Sequence, residues 1–131
     1  MIHFTNDAIG EPAADLVARL SARLGPRGVL TATEDTKAYE TSARHGAGSA
    51  RAVLRPATCG DLCWSIETLL AAGEQFVVQG AATGLVSGGT PSAEGTQWVI
   101  STQRLREVLE IDPINRSARV SAGYRLSDIN R

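Results

Sequence analysis

With 131 residues the chain has room for one domain at most, and 43% hydrophobic against 21% charged residues is the balance of a folded chain rather than a disordered one. The 13 Lys and Arg against 14 Asp and Glu leave a formal charge of -1 with no stretch of a single sign, which excludes a nucleic-acid binder that depends on a basic footprint. No apolar run approaches the roughly 20 residues that span a bilayer, and the opening Met1-Ile2-His3-Phe4-Thr5-Asn6-Asp7 lacks the basic and apolar regions of a signal peptide. No transmembrane segment and a cytoplasmic location are therefore expected.

In chain order, Pro12 stands near a first helical turn, and Leu16, Val17, Leu20 and Leu24 follow at helical spacing until Gly25-Pro26 stops the helix. Val29-Leu30 is a short extended piece, Thr33 to Tyr39 a turn, and Ser42 to Ala50 a loop of small residues that carries Arg44 and His45. Ala52-Val53-Leu54 is a short apolar strand ended by Pro56. Thr58 and Asp61, three apart, cap an amphipathic helix through Leu62, Cys63, Ile66, Leu69 and Leu70 that Gly73 closes. Phe76-Val77-Val78 completes a strand-helix-strand unit with parallel strands.

Beyond a long loop, Trp98-Val99-Ile100 reads as a third strand and Leu105-Arg106-Glu107 as a turn. Val108 to Asp112 and Ala118 to Ser121 flank Pro113-Ile114-Asn115-Arg116 as an antiparallel hairpin, and Leu126 to Arg131 starts a helix. The expected class is α+β, a small βαβ-containing parallel sheet flanked by helices and joined by a hairpin.

Several side chains have plain readings. Cys59 and Cys63 lack both redox and zinc spacing and are expected to pack as small hydrophobes. His3 and His45 are framed by no cysteine or acid, so no metal site is expected, and His45 reads as a surface histidine. Glu34, Asp35, Glu107 and Glu110 are expected on solvated faces or as caps, and Trp64 and Trp98 as packing residues. Ser87 lacks the spacing of a hydrolase nucleophile.

The composition is unusual in one respect. Glycine is 13 of 131 residues, against a typical share of about 7%. Several cluster in Gln79-Gly80-Ala81-Ala82-Thr83-Gly84-Leu85-Val86-Ser87-Gly88-Gly89-Thr90-Pro91, directly after a strand. Glycine leaves no Cβ to block a ligand, so successive backbone N–H groups of such a loop can face one concavity, whose natural guest is a phosphate or diphosphate. The dinucleotide pattern G-x-G-x-x-G is absent, and Gly89 stands where a nucleoside-triphosphate loop would need lysine. Nucleoside-triphosphate hydrolysis is not expected on that ground.

The run Ala52 to Pro56, Phe76 to Gly80, the loop through Gly88-Gly89-Thr90-Pro91, Val99-Ile100-Ser101, and Ile111-Asp112 to Ala122-Gly123 resembles the N-terminal part of an FAD-linked oxidase. The family is that of vanillyl-alcohol oxidase and p-cresol methylhydroxylase, and within it the branch of D-lactate, glycolate-oxidase-subunit and D-2-hydroxyglutarate dehydrogenases. The resemblance runs from about residue 28 to the end, with residues 1–27 as an N-terminal helical segment. It implies the first, incomplete part of a two-subdomain flavin domain in which the loop holds the FAD diphosphate. Gly80, Ala81, Ala82, Thr83, Gly84, Gly88, Gly89 and Thr90 are the implied contacts, with Pro56 and Ser101, at strand ends on the same edge, as additional candidates.

Thr83 stands where members with covalent flavin commonly carry histidine, which implies non-covalent FAD. Ala81 and Ala82 stand where relatives often have Gly and Asn or Gly. Family members continue past the equivalent of Arg131 into the rest of the flavin domain and a cap, so the small-molecule substrate is expected to meet that region, and this chain alone is expected to be inactive and to self-associate. The implied activity is hydride transfer from a 2-hydroxy acid to flavin, with no catalytic base identified. Two other readings are a non-catalytic module that binds a nucleotide-like anion or a protein partner, and a flavin reductase acting on a nucleotide sugar.

Overall fold

The computed structural model describes residues 14–41, 47–84 and 87–130. The expected helix start at Pro12, the Arg44–His45 part of the loop, Leu85, Val86 and Arg131 lie outside the described residues. Helix α1 (Ala14–Leu24) buries Leu16, Leu20 and Leu24 on one stripe and ends at Gly25, whose φ of +77° is the left-handed conformation of a helix stop. Strand β1 (Val29–Leu30), the one-turn helix α2 (Thr33–Thr36) and a 3-10 turn at Lys37–Tyr39 follow. Then come β2 (Ala50–Leu54), α3 (Cys59–Ala71), β3 (Gln75–Gln79), a 3-10 turn at Ser87–Gly89 and β4 (Gln97–Ser101). The chain closes with β5 (Leu109–Asp112), β6 (Ser117–Val120) and a short helix α4 (Leu126–Ile129). Each strand sits where its apolar run predicts, with bounds that differ by one or two residues. The class is α+β.

Strands β1 to β4 form one sheet in the order β1-β2-β4-β3, with β1 antiparallel to β2 and the other pairs parallel. The unit β2-α3-β3 does have parallel strands, but β4 lies between them and pairs with both, Leu54 and Val78 each facing Ile100. The expected strand-helix-strand unit with parallel strands is present, with β4 inserted between its two strands. A parallel connection needs a dozen or more residues. Helix α3 provides one for β2 to β3, whereas β3 reaches its neighbour β4 through the glycine-rich segment 80–96, which among its described residues contains a single 3-10 turn.

Ala52, Leu54, Trp98 and Ile100 meet Leu69 of α3 and the three leucines of α1 in the core, while Val53 and Val99 are fully buried on the other face of the sheet. Trp98 is completely buried, as its packing role requires, and its indole N–H donates to Glu74 Oε2 at 3.1 Å. Arg51 pairs with the same carboxylate at 3.5 Å.

Helix α3 begins as its sequence predicts, with Thr58 Oγ1 accepting from the Asp61 amide at 3.0 Å, and ends at Gly73 with φ +71°. Glu107 adds a second cap from a distant turn, its Oε1 accepting from the Cys59 amide at 2.6 Å. The face that α3 turns inward differs from expectation: Ser65, Thr68 and Leu69 are buried, and Cys59, Cys63 and Leu70 are exposed. Two of the three buried residues, Ser65 and Thr68, are hydroxylic. Their hydroxyls donate to carbonyls one turn back, Ser65 to Asp61 at 2.7 Å and Thr68 to Trp64 at 2.7 Å, so burying them strands no polar atom. The cysteines are therefore surface residues, not the buried packing residues that their chemistry suggests.

Candidate binding site at the carboxyl edge of the sheet

The parallel strands β2, β3 and β4 run in the same direction, so the segments that leave their carboxyl ends converge on one edge, the usual place for a ligand in a parallel sheet. From β3 emerges the glycine-rich loop. From β4 emerges Thr102-Gln103, held against the start of the loop by the Thr102 amide, which donates to the Gln79 carbonyl at 3.0 Å.

Two adjoining cavities share residues 79–82 as a common wall. One, about 220 Å³, is completed by Tyr39, Thr102, Gln103, Gly123, Tyr124 and Arg125. The other, about 270 Å³, is enclosed by 78–84 together with Gly89 and Thr90. Each is smaller than the roughly 300–1,000 Å³ of a complete small-molecule pocket. Arg125 is the one ionised side chain on either lining, among the described residues, and no carboxylate faces either cavity. Small residues that leave the backbone accessible, hydroxyls and a guanidinium, with no carboxylate on the lining, suit a diphosphate.

The candidates divide clearly. Gly80, Ala81, Ala82, Thr83, Gly84, Gly89 and Thr90 all reach the cavity walls. Gly88 lies in the adjacent 3-10 turn and lines neither cavity. Pro56 and Ser101 are fully buried behind the edge, and the Ser101 hydroxyl accepts from the Gln103 amide at 3.3 Å. A Cβ added at Gly84 or Gly88 would meet nothing within 4 Å, so the chain itself does not demand glycine at either position. Ala82, in contrast, has φ +57°, a conformation that glycine adopts more cheaply.

The wall made by Tyr39, Thr102, Gln103, Gly123, Tyr124 and Arg125 is absent from the sequence-based candidates. Tyr39 is positioned by Gln103, whose side-chain amide donates to the phenol oxygen at 2.8 Å, and by Arg55 at 3.4 Å. Gly123 packs so tightly that a Cβ would strike the carbonyls of Thr102, Gln103 and Leu105, which brings the segment after the hairpin to the cavity. The glycine was a signal of that close approach. Nothing in the local sequence around Tyr39 marks it as a wall residue.

A family model described as an FAD binding domain matches residues 50–131, which includes the loop, the sheet beyond β1 and the hairpin. A quinone-dependent D-lactate dehydrogenase of Haemophilus influenzae is 36% identical over 96 residues, which cover 69% of this chain and 16% of that protein. Among solved structures, p-cresol methylhydroxylase with substrate bound is similar with a TM-score of 0.68 at 17% identity, over 89% of this chain and 23% of its own. Alkyldihydroxyacetonephosphate synthase is similar with a TM-score of 0.64 at 17% identity, over 82% of this chain and 22% of its own. At that identity the likeness shows the fold. The chain spans about a sixth of the length of the curated relative it matches.

Proposed function

Since the chain belongs to the FAD binding domain family, whose cofactor is FAD, we propose that its glycine-rich loop holds the diphosphate of that cofactor and that the chain is the flavin-binding portion of an oxidoreductase acting on a 2-hydroxy acid. The observation that carries the reading is the wall made by 80–84, Gly89 and Thr90 at the carboxyl edge of the sheet, built of small residues and free of carboxylates. Cavities of about 220 and 270 Å³ suit part of a dinucleotide, not all of it. In this reading residues 28–131 are the flavin-binding portion, and the N-terminal helical segment 1–27 adds α1, whose leucines enter the same core.

Bound flavin would supply the hydride acceptor. The residues of this chain would bind and orient it: the loop at the diphosphate, Arg125 as counter-charge, and Tyr39 with Gln103 as the opposite wall. Thr83 in place of a histidine supports non-covalent attachment. The similarity to a D-lactate dehydrogenase supports a 2-hydroxy acid as the substrate class, met by a region beyond this chain. Self-association through the exposed hairpin, in a cytoplasmic setting, belongs to the same proposal.

Titration with FAD, followed by flavin fluorescence, tests the site in the wild-type chain and in Gly84→Asp with Gly88→Asp. Neither added side chain meets protein atoms at its Cβ, so circular dichroism and melting are expected to be unchanged. The like charge is expected to weaken binding at least about tenfold, or about 1.4 kcal/mol. Equal affinity in the folded double variant would remove the loop from the diphosphate site.

A further inference from the structure

We infer that Gln79 is a positioning residue, whose side-chain amide fixes the glycine-rich loop in its binding shape before any ligand arrives. The inference rests on the reading that this loop holds the FAD diphosphate. Gln79 is the last residue of β3 and is only 4% exposed. Its Nε2 donates to the carbonyl of Tyr39 at 2.9 Å and to the carbonyl of Gly89 at 2.9 Å. Both acceptors are carbonyl oxygens, so the nitrogen, not the oxygen, of the carboxamide must face them, and both of its hydrogens are used.

The geometry ties off the loop. The loop starts directly after Gln79, and Gly89 lies back against the same residue, so a single side chain joins its two ends, as in compact loops whose termini lie close together. Gly89 lies directly against the end of β3, where a Cβ would make ordinary van der Waals contact with the Val78 carbonyl at 3.4 Å and with Gln79 Cγ at 3.9 Å. The backbone of Gln79 is itself held, its carbonyl accepting from the Thr102 amide at 3.0 Å. Tyr39, Gly89 and Thr102 are distant in sequence, and each belongs to a wall of the cavities or borders one. Loop amides held in place in this way lose little freedom on binding, which favours affinity.

The chemistry of the two acceptors provides the test. Gln79→Met keeps the length and removes both donors. Gln79→Glu is nearly isosteric, but its carboxylate faces two carbonyl oxygens, and when protonated it can donate one hydrogen. Amide hydrogen exchange over 80–90 is measured in the ligand-free full chain, and FAD affinity by titration, each at pH 8 and pH 5 and each relative to wild type at the same pH. Gln79→Met is expected to speed exchange of the loop at least tenfold at both pH values, with α3 and β4 unchanged, and to weaken FAD binding at least tenfold. Gln79→Glu is expected to match it at pH 8 and to recover part of both losses at pH 5.

Loop exchange equal to wild type in either variant at pH 8 would overturn the inference. So would faster exchange through the whole chain, which would make Gln79 a residue of the fold and not of the loop. A wild-type chain that binds no FAD, yet shows loop exchange that depends on Gln79, would remove the flavin reading and leave the positioning role. Wild-type binding with Gln79 variants of unchanged affinity and exchange would do the reverse.

Discussion

Strand β4 and the β5–β6 ribbon each carry three large apolar residues, yet Trp98, Val99 and Ile100 are fully buried while Leu109, Ile111 and Val120 are exposed. In the sheet, parallel pairing obliges the chain to cross over, and the crossover helix α3, with α1, covers one face. In the ribbon, antiparallel pairing needs only the short turn at 113–116, so no covering element comes with it. The ribbon is nonetheless two-faced. Leu109 faces Val120 and Ile111 faces Ala118 across it, while Glu110 faces Arg119 with a 3.6 Å ion pair on the alternate side. The comparison separates the stability of the sheet, which comes from burial, from that of the ribbon, which comes from backbone pairing and its turn.

Breaking each half in turn is the strongest test. Trp98→Ala removes the largest fully buried side chain and is expected to cost about 3–5 kcal/mol, enough to unfold much of a small chain. Ile111→Ala, at a side chain 64% exposed, is expected to stay within about 0.5 kcal/mol. Urea denaturation followed by circular dichroism measures both. At a concentration low enough to keep the chain monomeric, comparable losses would mean that the apolar face of the ribbon is covered within the chain itself.

Association sharpens the same contrast. An exposed apolar stripe of Leu109, Ile111 and Val120, with Ile114 at its tip, favours contact with another surface. The proposed self-association gives a dimer or larger species in sedimentation at micromolar concentration, and Ile111→Lys is expected to shift it towards monomer with little change in melting. A wild-type chain that sediments as a folded monomer would end that proposal.

The two regions also differ in how much of them the sequence revealed. The cap at Thr58, the stops at Gly25 and Gly73 and the hairpin were legible because each depends on residues within a few positions. The insertion of β4 between β2 and β3 was not, because strand order depends on the path of a long loop with no pattern of its own. The outward turn of Cys59 and Cys63 was hidden for a different reason: the hydroxyls of Ser65 and Thr68 are satisfied one turn back in the helix and so can be buried, while hydropathy alone points the other way. At the site, the loop announced itself by its glycines. Its opposite wall, from Tyr39 to Arg125, is assembled from segments far apart in sequence, and only Gly123 carried a local trace of it.

The smallest expected effect is electrostatic and confined to the turn of the ribbon. Asp112 accepts from the Asn115 amide at 3.0 Å, from Asn115 Nδ2 at 2.7 Å and from the Ile114 amide at 3.0 Å. These bonds, those from Asn115 foremost, favour the ionised carboxylate and hold its pKa below the ordinary 3.8. The group thus binds its proton less readily folded than unfolded. Its stabilising contribution is complete above pH 3.8 and is lost as the pH falls through the lower folded value. An NMR titration of the Asp112 carboxyl is expected to give a midpoint below 3.8, and Asn115→Ala, which keeps the backbone donor and removes Nδ2, is expected to move it part of the way back. Because the ribbon shares little burial with the sheet, amides at 114 and 115 are expected to lose exchange protection in this acid range while those of β4 keep theirs. A midpoint at or above 3.8 would mean that these donors do not hold the turn in solution, and simultaneous loss of protection in β4 would show that the ribbon and the sheet unfold as one unit.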